Sequence, residues 1–304
     1  GSRSMACARQ GAGHIQRGEL EAARKCFQRG VDVGDATEPL LVKLHAYLGE
    51  LYRGERKYAL AISNGNAHLT LARKLQNSDE VHRALRTLGV THMAAGLRQL
   101  AVPDEEGDLE NSRMEESSNS LSKSLEFFEE LVKDSKDRNE VMTTAQAYRD
   151  VMKVHQVLRN DLQALEAAEQ HLVLIRGRGS KRDIGRAVSS CAMLRAQNGI
   201  NGDIDWTKKA FVEVLELLWE QAAIGESIPD AALVGNAYYQ ISKLLEDAGS
   251  WADWYGPAKA RQFLQKAIDN FAMVKSPNAR VLAQKGECEK RLEALNDDSG
   301  CVVQ

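Results

Sequence analysis

The sequence predicts an all-α protein, a right-handed superhelical solenoid of about six helix pairs closed by a C-terminal capping helix. Only 5 of the 304 residues are prolines, and β-branched runs are few, which favours helices along the whole chain. Pairs of amphipathic segments joined by short polar turns recur, as in residues 44–73 and 145–176. In these two segments a small residue, Ala61 or Ala164, is followed seven positions later by histidine and then by leucine.

The amino-acid composition limits which classes of protein are possible. Hydrophobic residues make up 43% of the chain and charged residues 27%, which is typical of a soluble globular protein. The net charge of −3 argues against a basic nucleic-acid binder, so direct contact with nucleic acid is not expected. No apolar run approaches the roughly 20 residues of a membrane span. The five cysteines are far apart and form no CxxC pair, which favours reduced intracellular thiols.

The first two helix pairs are the clearest in the sequence. The first carries small and aromatic residues around the turn RGEL: Gly11, His14, Gly18, Ala23, Phe27 and Gly30. The second carries a similar set: Leu48, Gly49, Tyr52, Tyr58 and Ala61. Small residues are expected where two helices cross, because a larger side chain would push the helices apart.

The later pairs follow with more variation. The third opens with Leu88, Gly89 and His92, and its second helix is predicted at about 121–132. The fourth pair is predicted at 141–176, a degenerate fifth at 184–198 and 206–221, and a sixth at 231–248 and 257–275. A closing helix at 278–295 would cover the last apolar face. The predicted solenoid therefore spans 6–295, after a tag-like remnant at 1–5 and before a flexible tail at 296–304.

Two segments interrupt the period. Residues 97–119 are predicted to be an insertion in the third pair, and 101–120 hold seven acids and one arginine. This composition predicts a disordered acidic loop, either with a binding role or simply solvated. The second segment, 249–257, contains Trp251, Trp254 and Tyr255. These aromatic residues are expected to pack on the capping helix or to form a binding knob.

The sequence contains no recognisable catalytic constellation. It has no GxGxxG, P-loop, HExxH or GxSxG motif, so we expect no enzyme activity, no cofactor and no metal site. His14, His92 and His155 fall where each pair needs a large half-buried residue, and His68 and His171 occupy matching places on second helices. All five are predicted to be packing residues. The basic turn 176–182 could meet a phosphate, a lipid headgroup or an acidic partner, or it could be a plain loop.

The first helix of each pair is expected to line a concave groove that binds an extended peptide. Projection of the repeat predicts these groove residues: Lys43, Glu50, Arg53, Arg83, Arg86, Met93, Arg149, Asp150, Lys153, Tyr239, Lys243 and Glu246. Arg53, Arg83, Arg86 and Arg149 are the preferred contacts, because the guanidinium fork suits carboxylates. The alternative is that these arginines pair with neighbouring glutamates and bind nothing.

The spacing of Leu48, Gly49, Tyr52, Tyr58 and Ala61 resembles the tetratricopeptide-repeat pattern. Within that class, "HLTLARKLQNSDEVHRALRTLGVTHM" (68–93), together with the insertion at 97–119, resembles the third-repeat region of the Tonsoku family. This resemblance implies a histone-tail reader in replication-coupled DNA repair, located in the nucleus. Lysines of such a tail could be taken by Glu50, by Asp150 or by the acidic segment at 104–116.

The shorter string "HLTLAR" equally resembles the Pins family of spindle-orientation adaptors. That resemblance implies an acidic-polar peptide of a cortical partner and a cytoplasmic or cortical location, which the basic groove suits better. A third hypothesis is a membrane-associated adaptor, because the final four residues, "CVVQ", match a farnesylation box with Cys301 as the lipidation candidate. The segment before it, "LEALNDDSG", is acidic where a polybasic stretch would assist a single prenyl chain.

Overall fold

Helices make up the described part of the chain, as the sequence predicts. The computed structural model describes residues 2–101, 107–202, 207–247 and 256–300, except for the side chains of 107–110, 247, 256–258 and 297–300. These residues form thirteen helices and no strand. The helices are α1 (Arg3–Gln16), α2 (Leu20–Asp32), α3 (Glu38–Gly54), α4 (Tyr58–Lys74), α5 (Ser78–Leu100), α6 (Gly107–Asp137), α7 (Val141–Val157), α8 (Asp161–Arg176), α9 (Lys181–Asn201), α10 (Lys208–Ser227), α11 (Ala231–Asp247), α12 (Gly256–Ala272) and α13 (Ala279–Gly300).

The chain divides into two compact units, Gly1–Leu158 and Arg159–Gln304, and the boundary falls inside the fourth predicted pair. In unit 1 each helix from α1 to α7 packs against the next, and in unit 2 the same holds from α8 to α13. The first helices of successive pairs also touch, since α3 contacts α5 and α9 contacts α11. Within the described ranges, no helix is both long enough and apolar enough to cross a membrane.

The turns between helices repeat one backbone geometry. Gly18 after α1 has a φ of +74° and Arg56 after α3 has a φ of +59°, both left-handed. In each case the next N–H reaches back to a carbonyl five residues earlier, Glu19 N to His14 O and Lys57 N to Tyr52 O, both at 2.9 Å. This pattern closes the helix by satisfying its last carbonyls. The tight turn sets the second helix antiparallel to the first.

Glycines at the helix crossings accept large side chains from a neighbouring helix. A Cβ on Gly11 would lie 2.5 Å from the Phe27 ring, and one on Gly89 would lie 2.7 Å from the Phe128 ring. Gly235 on α11 holds Phe271 of α12 in the same way, at 2.8 Å. By contrast, a Cβ on Gly49 would meet its nearest atom at 3.5 Å, an ordinary contact. The steric need predicted for Gly49 is therefore weaker than at the equivalent glycines.

The prediction of a disordered loop at 101–120 is wrong from residue 107 onward, because α6, a single helix of 31 residues, begins there. Ser117, Leu121, Ser124 and Phe128 form a buried stripe at helical spacing along α6. The two serine hydroxyls donate to carbonyl oxygens of α5, Ser117 to Gly96 at 2.9 Å and Ser124 to Gly89 at 2.7 Å. Serines in the buried stripe hide the amphipathic pattern from sequence inspection.

The third helix pair is longer than the first, and the chain separation between the two residues that meet at each crossing gives the difference. Gly11 and Phe27 are 16 residues apart in the chain, whereas Gly89 and Phe128 are 39 apart, although the contact is the same. The difference of 23 residues equals the length of the predicted insertion at 97–119. The additional residues that the structure describes extend α5 and α6 into a longer antiparallel pair.

At both ends of the chain, the terminal helix extends further than the sequence predicts. Arg3 and Ser4, assigned to a tag remnant, lie in α1, where their backbone N–H groups donate to Asp35 at 2.8 and 2.9 Å. The capping helix α13 continues to Gly300, past the predicted end at 295. It packs Val281 and Cys288 into the apolar core of α11 and α12, as expected for a closing helix. The aromatic residues at 251–255 and the CVVQ box lie outside the described residues.

Four of the five histidines predicted to pack are buried in the structure. His92 is buried and its ring stacks on Phe127 with centroids 5.6 Å apart. His68 is buried beside Glu80, with 2.8 Å between Nε2 and the carboxylate. The packing role predicted for histidine is confirmed by burial at four positions: His68, His92, His155 and His171. His14 is half-buried, as predicted for its position, and it pairs with Glu19 at the end of α1.

We predict that Gly89→Ala lowers the free energy of unfolding by about 1–3 kcal/mol, because its methyl group would overlap the Phe128 ring. Gly54→Ala is the matched control, since nothing lies within 4 Å of a Cβ at that position. Helix propensity alone should leave that control unchanged or more stable by up to about 1 kcal/mol. Urea denaturation followed by circular dichroism measures both, and equal midpoints would contradict the crossing role.

We also predict a pH dependence that depends on His92. Burial, and secondarily the charge of Lys123, lowers the pKa of His92 from 6.5 in the folded state. The unfolded chain therefore binds a proton first, and stability should be lost as the pH falls from 6.5 toward the lowered folded pKa. His92→Phe should lose less stability than the wild type between about pH 7 and pH 5. Parallel stability curves for the two proteins would refute this role.

Candidate peptide-binding site

Nine of the predicted groove residues lie on three first helices of unit 1. α3 carries Lys43, Glu50 and Arg53, α5 carries Arg83, Arg86 and Met93, and α7 carries Arg149, Asp150 and Lys153. Polar contacts link these helices: Arg83 of α5 reaches α3, and Arg86 of α5 donates to Gln146 of α7 at 2.9 Å. The three helices therefore present a connected set of charged side chains, which we call the first-helix face of unit 1.

Arg83 is already neutralised within the fold. Its Nη2 donates to Glu50 Oε1 at 2.9 Å, and its guanidinium lies 5.8 Å from the centroid of the Tyr47 ring. Burial alone would lower the pKa of Arg83, but the hydrogen bond and charge of Glu50 outweigh it and raise that pKa. Glu50 is paired by the same contact, so a ligand that binds either residue would compete with this ion pair.

Asp150 organises a second internal cluster. Its side chain is only 5% exposed, and it is approached by Arg86 Nε at 3.4 Å and Lys153 Nζ at 3.2 Å. A buried carboxylate needs such compensation, because its desolvation is costly. Arg86 and Lys153 therefore act first as partners of Asp150. Arg83 and Arg86 thus pair with neighbouring carboxylates, and their contact with a peptide stays a prediction.

Arg53 and Arg149 differ from the other two arginines. Among the described residues, neither guanidinium has an ion-pair or hydrogen-bond partner, although the Nε of each is buried. Lys43 is exposed and is also unpaired in this part of the chain. A buried donor without an acceptor carries a desolvation cost, and each of these two side chains is otherwise only half-buried. The sequence ranked all four arginines alike and could not make this distinction.

The predicted groove residues of unit 2 are more structural than expected. Tyr239 is 4% exposed, and burial, together with a hydrogen bond to Glu287, raises its pKa. Glu246 pairs with Arg291 of α13. Lys243 lies above the Tyr239 ring, with Nζ 5.6 Å from the centroid, and has no carboxylate partner in the described ranges. The capping helix thus occupies part of the surface that the repeat projection assigns to a ligand.

Unit 2 instead has an apolar cleft of about 270 Å³ between α9, α10 and α11. Its walls and floor are formed mainly by aliphatic side chains: Met193, Ala196, Ile200, Val214, Leu218 and Leu244. Sequence analysis missed it because α9 belongs to the degenerate fifth pair. The available signal was a stripe at helical spacing on α9, in which Met193 and Ile200 are exposed aliphatic residues.

The possible metal ligands, the cysteines and the basic turn are weaker candidates for a functional site. In the described residues no cluster of three or more His, Cys, Asp or Glu could hold a metal ion. Burial raises the pKa of the Cys191 and Cys288 thiols to about 12, so both stay protonated near neutral pH. In the basic turn 176–182, Arg176 pairs with Glu220 at 2.7 Å and Arg182 with Asp230 at 2.9 Å. Cys301 lies outside the described residues.

Comparison with known proteins supports the fold. No family model matches the chain, and no curated protein matches it. The crystal structure of apo RapI is similar, with a TM-score of 0.59 at 12% identity, over 97% of this chain and 98% of that one. A tetratricopeptide repeat protein from Parabacteroides merdae has a TM-score of 0.47 at 13% identity, over 95% of this chain and 100% of that one.

The predicted all-α fold of the tetratricopeptide-repeat type is confirmed by these helices and by the likeness to RapI. A likeness at 12% identity concerns the fold alone. The narrower Tonsoku and Pins resemblances stay predictions.

The pairing pattern predicts different costs for two charge reversals. Arg86→Glu places a carboxylate beside the buried Asp150 and should lower the free energy of unfolding by about 1–2 kcal/mol, reduced by partial exposure. Arg53→Glu breaks no ion pair and should lower the free energy of unfolding less than Arg86→Glu does. Chemical denaturation of both variants tests this, and equal destabilisation would contradict the assigned pairs.

Proposed function

We propose that this chain is a non-catalytic protein–protein interaction module that binds an extended, carboxylate-bearing peptide on the first-helix face of unit 1. The observation that carries the proposal is the unpaired state of Arg53 and Arg149, in contrast to Arg83 and Arg86. An arginine side chain without an internal partner can hold a carboxylate through the parallel N–H donors of its two Nη atoms. Hydrogen bonds to charged groups of this kind are worth about 1.5–3 kcal/mol each.

The geometry of packed helices suggests the spacing of the peptide's acids. Arg53 lies on α3 and Arg149 on α7, with α5 between them. Packed helices are about 8–10 Å apart, and an extended chain advances about 3.3 Å per residue. One helix-to-helix step therefore corresponds to about three residues, and carboxylates about six residues apart would suit the two arginines. An extended peptide also supplies backbone carbonyls that can accept from the donors between them.

A histone tail is the second candidate, with a nuclear role in replication-coupled repair as the Tonsoku resemblance implies. The observation that favours it is the acidic N-terminal half of α6, where Glu115 is exposed and unpaired among the described residues. Lysines of a tail could pair with such carboxylates. On the first-helix face, however, Glu50 and Asp150 already have cationic partners, so a basic peptide would have to displace arginine. A cortical role would accompany the binding of an acidic peptide. A membrane-associated role would depend on lipidation of Cys301.

The test is a titration of the whole chain against two fluorescent peptides at low and high salt. One is a Gly/Ser dodecamer with two aspartates six residues apart, and the other is the histone H3 N-terminal tail. We predict saturable, salt-weakened binding of the acidic peptide. Its affinity should fall at least about tenfold in the Arg53→Glu, Arg149→Glu double variant, the equivalent of one lost charged hydrogen bond.

The matched control is Lys123→Glu with Lys133→Glu, which makes the same change in net charge on exposed residues of the second helix α6. This control should bind the acidic peptide like the wild type. Preferential binding of the H3 tail, strengthened by the arginine reversals, would favour the histone candidate instead. Binding of neither peptide would overturn the proposed peptide-binding function of unit 1.

A further inference from the structure

The apolar cleft of unit 2 is separate in chemistry from the charged face of unit 1. We propose that the cleft between α9, α10 and α11 binds one leucine- or methionine-sized side chain of an extended partner peptide, next to a carboxylate held by Lys243. This inference rests on the proposed function, since its occupant is a peptide. It adds a specificity element, an aliphatic anchor, that charge alone does not provide.

The cleft walls are apolar and incompletely covered. Ile200 is 51% exposed and Met193 is 38% exposed, while Val214 and Leu218 below them are fully buried. A cavity of about 150 Å³ with aliphatic walls is enough for a six-carbon ring. The volume of about 270 Å³ therefore accommodates a leucine or methionine side chain with part of its backbone. The thioether of Met193 can adapt to either shape.

The rim carries polar groups that fit a peptide better than a purely apolar ligand. Gln197 and Asn201 both donate to Asp161 Oδ2, at 3.1 and 3.3 Å, which holds their amides in place. Their carbonyl oxygens remain available as acceptors. The Gln240 amide has no hydrogen-bond partner in the described part of the chain, so it can pair with a peptide unit as both donor and acceptor.

The positive charge on the rim of the cleft favours an acidic residue next to the aliphatic residue of the peptide. Lys243 lines the cleft and lies over the Tyr239 ring, which orients its ammonium group without neutralising it. Arg186 lies on the same α9 stripe as Met193, seven residues earlier, and is also unpaired among the described residues. An aliphatic residue next to an aspartate or glutamate would thus match both the walls and the rim.

Three fluorescent dodecamers test the inference, identical in their Gly/Ser/Asp background and differing only in a central Leu, Ala or Lys. In the wild-type chain, we expect the Leu peptide to bind at least about tenfold more tightly than the Ala peptide, as burial of a leucine side chain implies. Ile200→Gln removes one wall and should reduce this preference to about threefold or less. Val173→Gln, at a 70% exposed aliphatic residue of α8 outside the cleft, is the matched control and should keep it.

A second readout does not depend on the charged face of unit 1. In a chain with ¹³C-labelled methionine methyl groups, N-acetyl-Leu-Asp-amide should shift the Met193 signal, assigned by its loss in Met193→Leu. Equal binding of the Leu and Ala peptides, with no Met193 shift, would overturn the cleft inference while leaving unit 1 binding intact. A Met193 shift without binding of any acidic dodecamer would support the cleft and overturn the proposed function of unit 1.

Discussion

The close contact between a glycine on one helix and a large side chain from the next is the constraint on which the helix pairs depend. Gly11 with Phe27, Gly89 with Phe128 and Gly235 with Phe271 repeat it in three pairs. Gly65 of α4 makes the same kind of contact between the second and third pairs, where it accepts Leu88 of α5 and a Cβ would lie 2.6 Å from that side chain. Because glycine presents no side chain there, the backbones approach closely and the aromatic ring fills the crossing.

Fixed crossings also decide which charges meet. Once α3, α5 and α7 lie side by side, Arg83 reaches Glu50 and Arg86 reaches Asp150. Partly exposed pairs of this kind add little stability on their own, but they neutralise a carboxylate that burial would otherwise make costly. Among the described residues, Arg53 and Arg149 have no such partners, which is why the proposed peptide contact is assigned to them.

The two units offer different kinds of contact. The first-helix face of unit 1 is polar and positively charged, with donors that lack acceptors. The cleft of unit 2 is aliphatic, with three amides and one ammonium group on its rim. Charged contacts depend strongly on salt and steer association, whereas burial of an aliphatic anchor supplies salt-independent affinity. A partner with both features would be selected more strictly than either surface alone allows.

The sequence by itself determined the all-α class, the helix pairing and the packing role of most histidines, because these depend on periodicity and on small residues at fixed spacing. It failed at α6, where buried serines satisfied by carbonyls of α5 look like a polar loop. It also could not separate Arg53 and Arg149 from Arg83 and Arg86, or find the cleft beside Met193. Those features were decided by the tertiary structure, because pairing and exposure depend on which side chains of neighbouring helices come within a few ångströms.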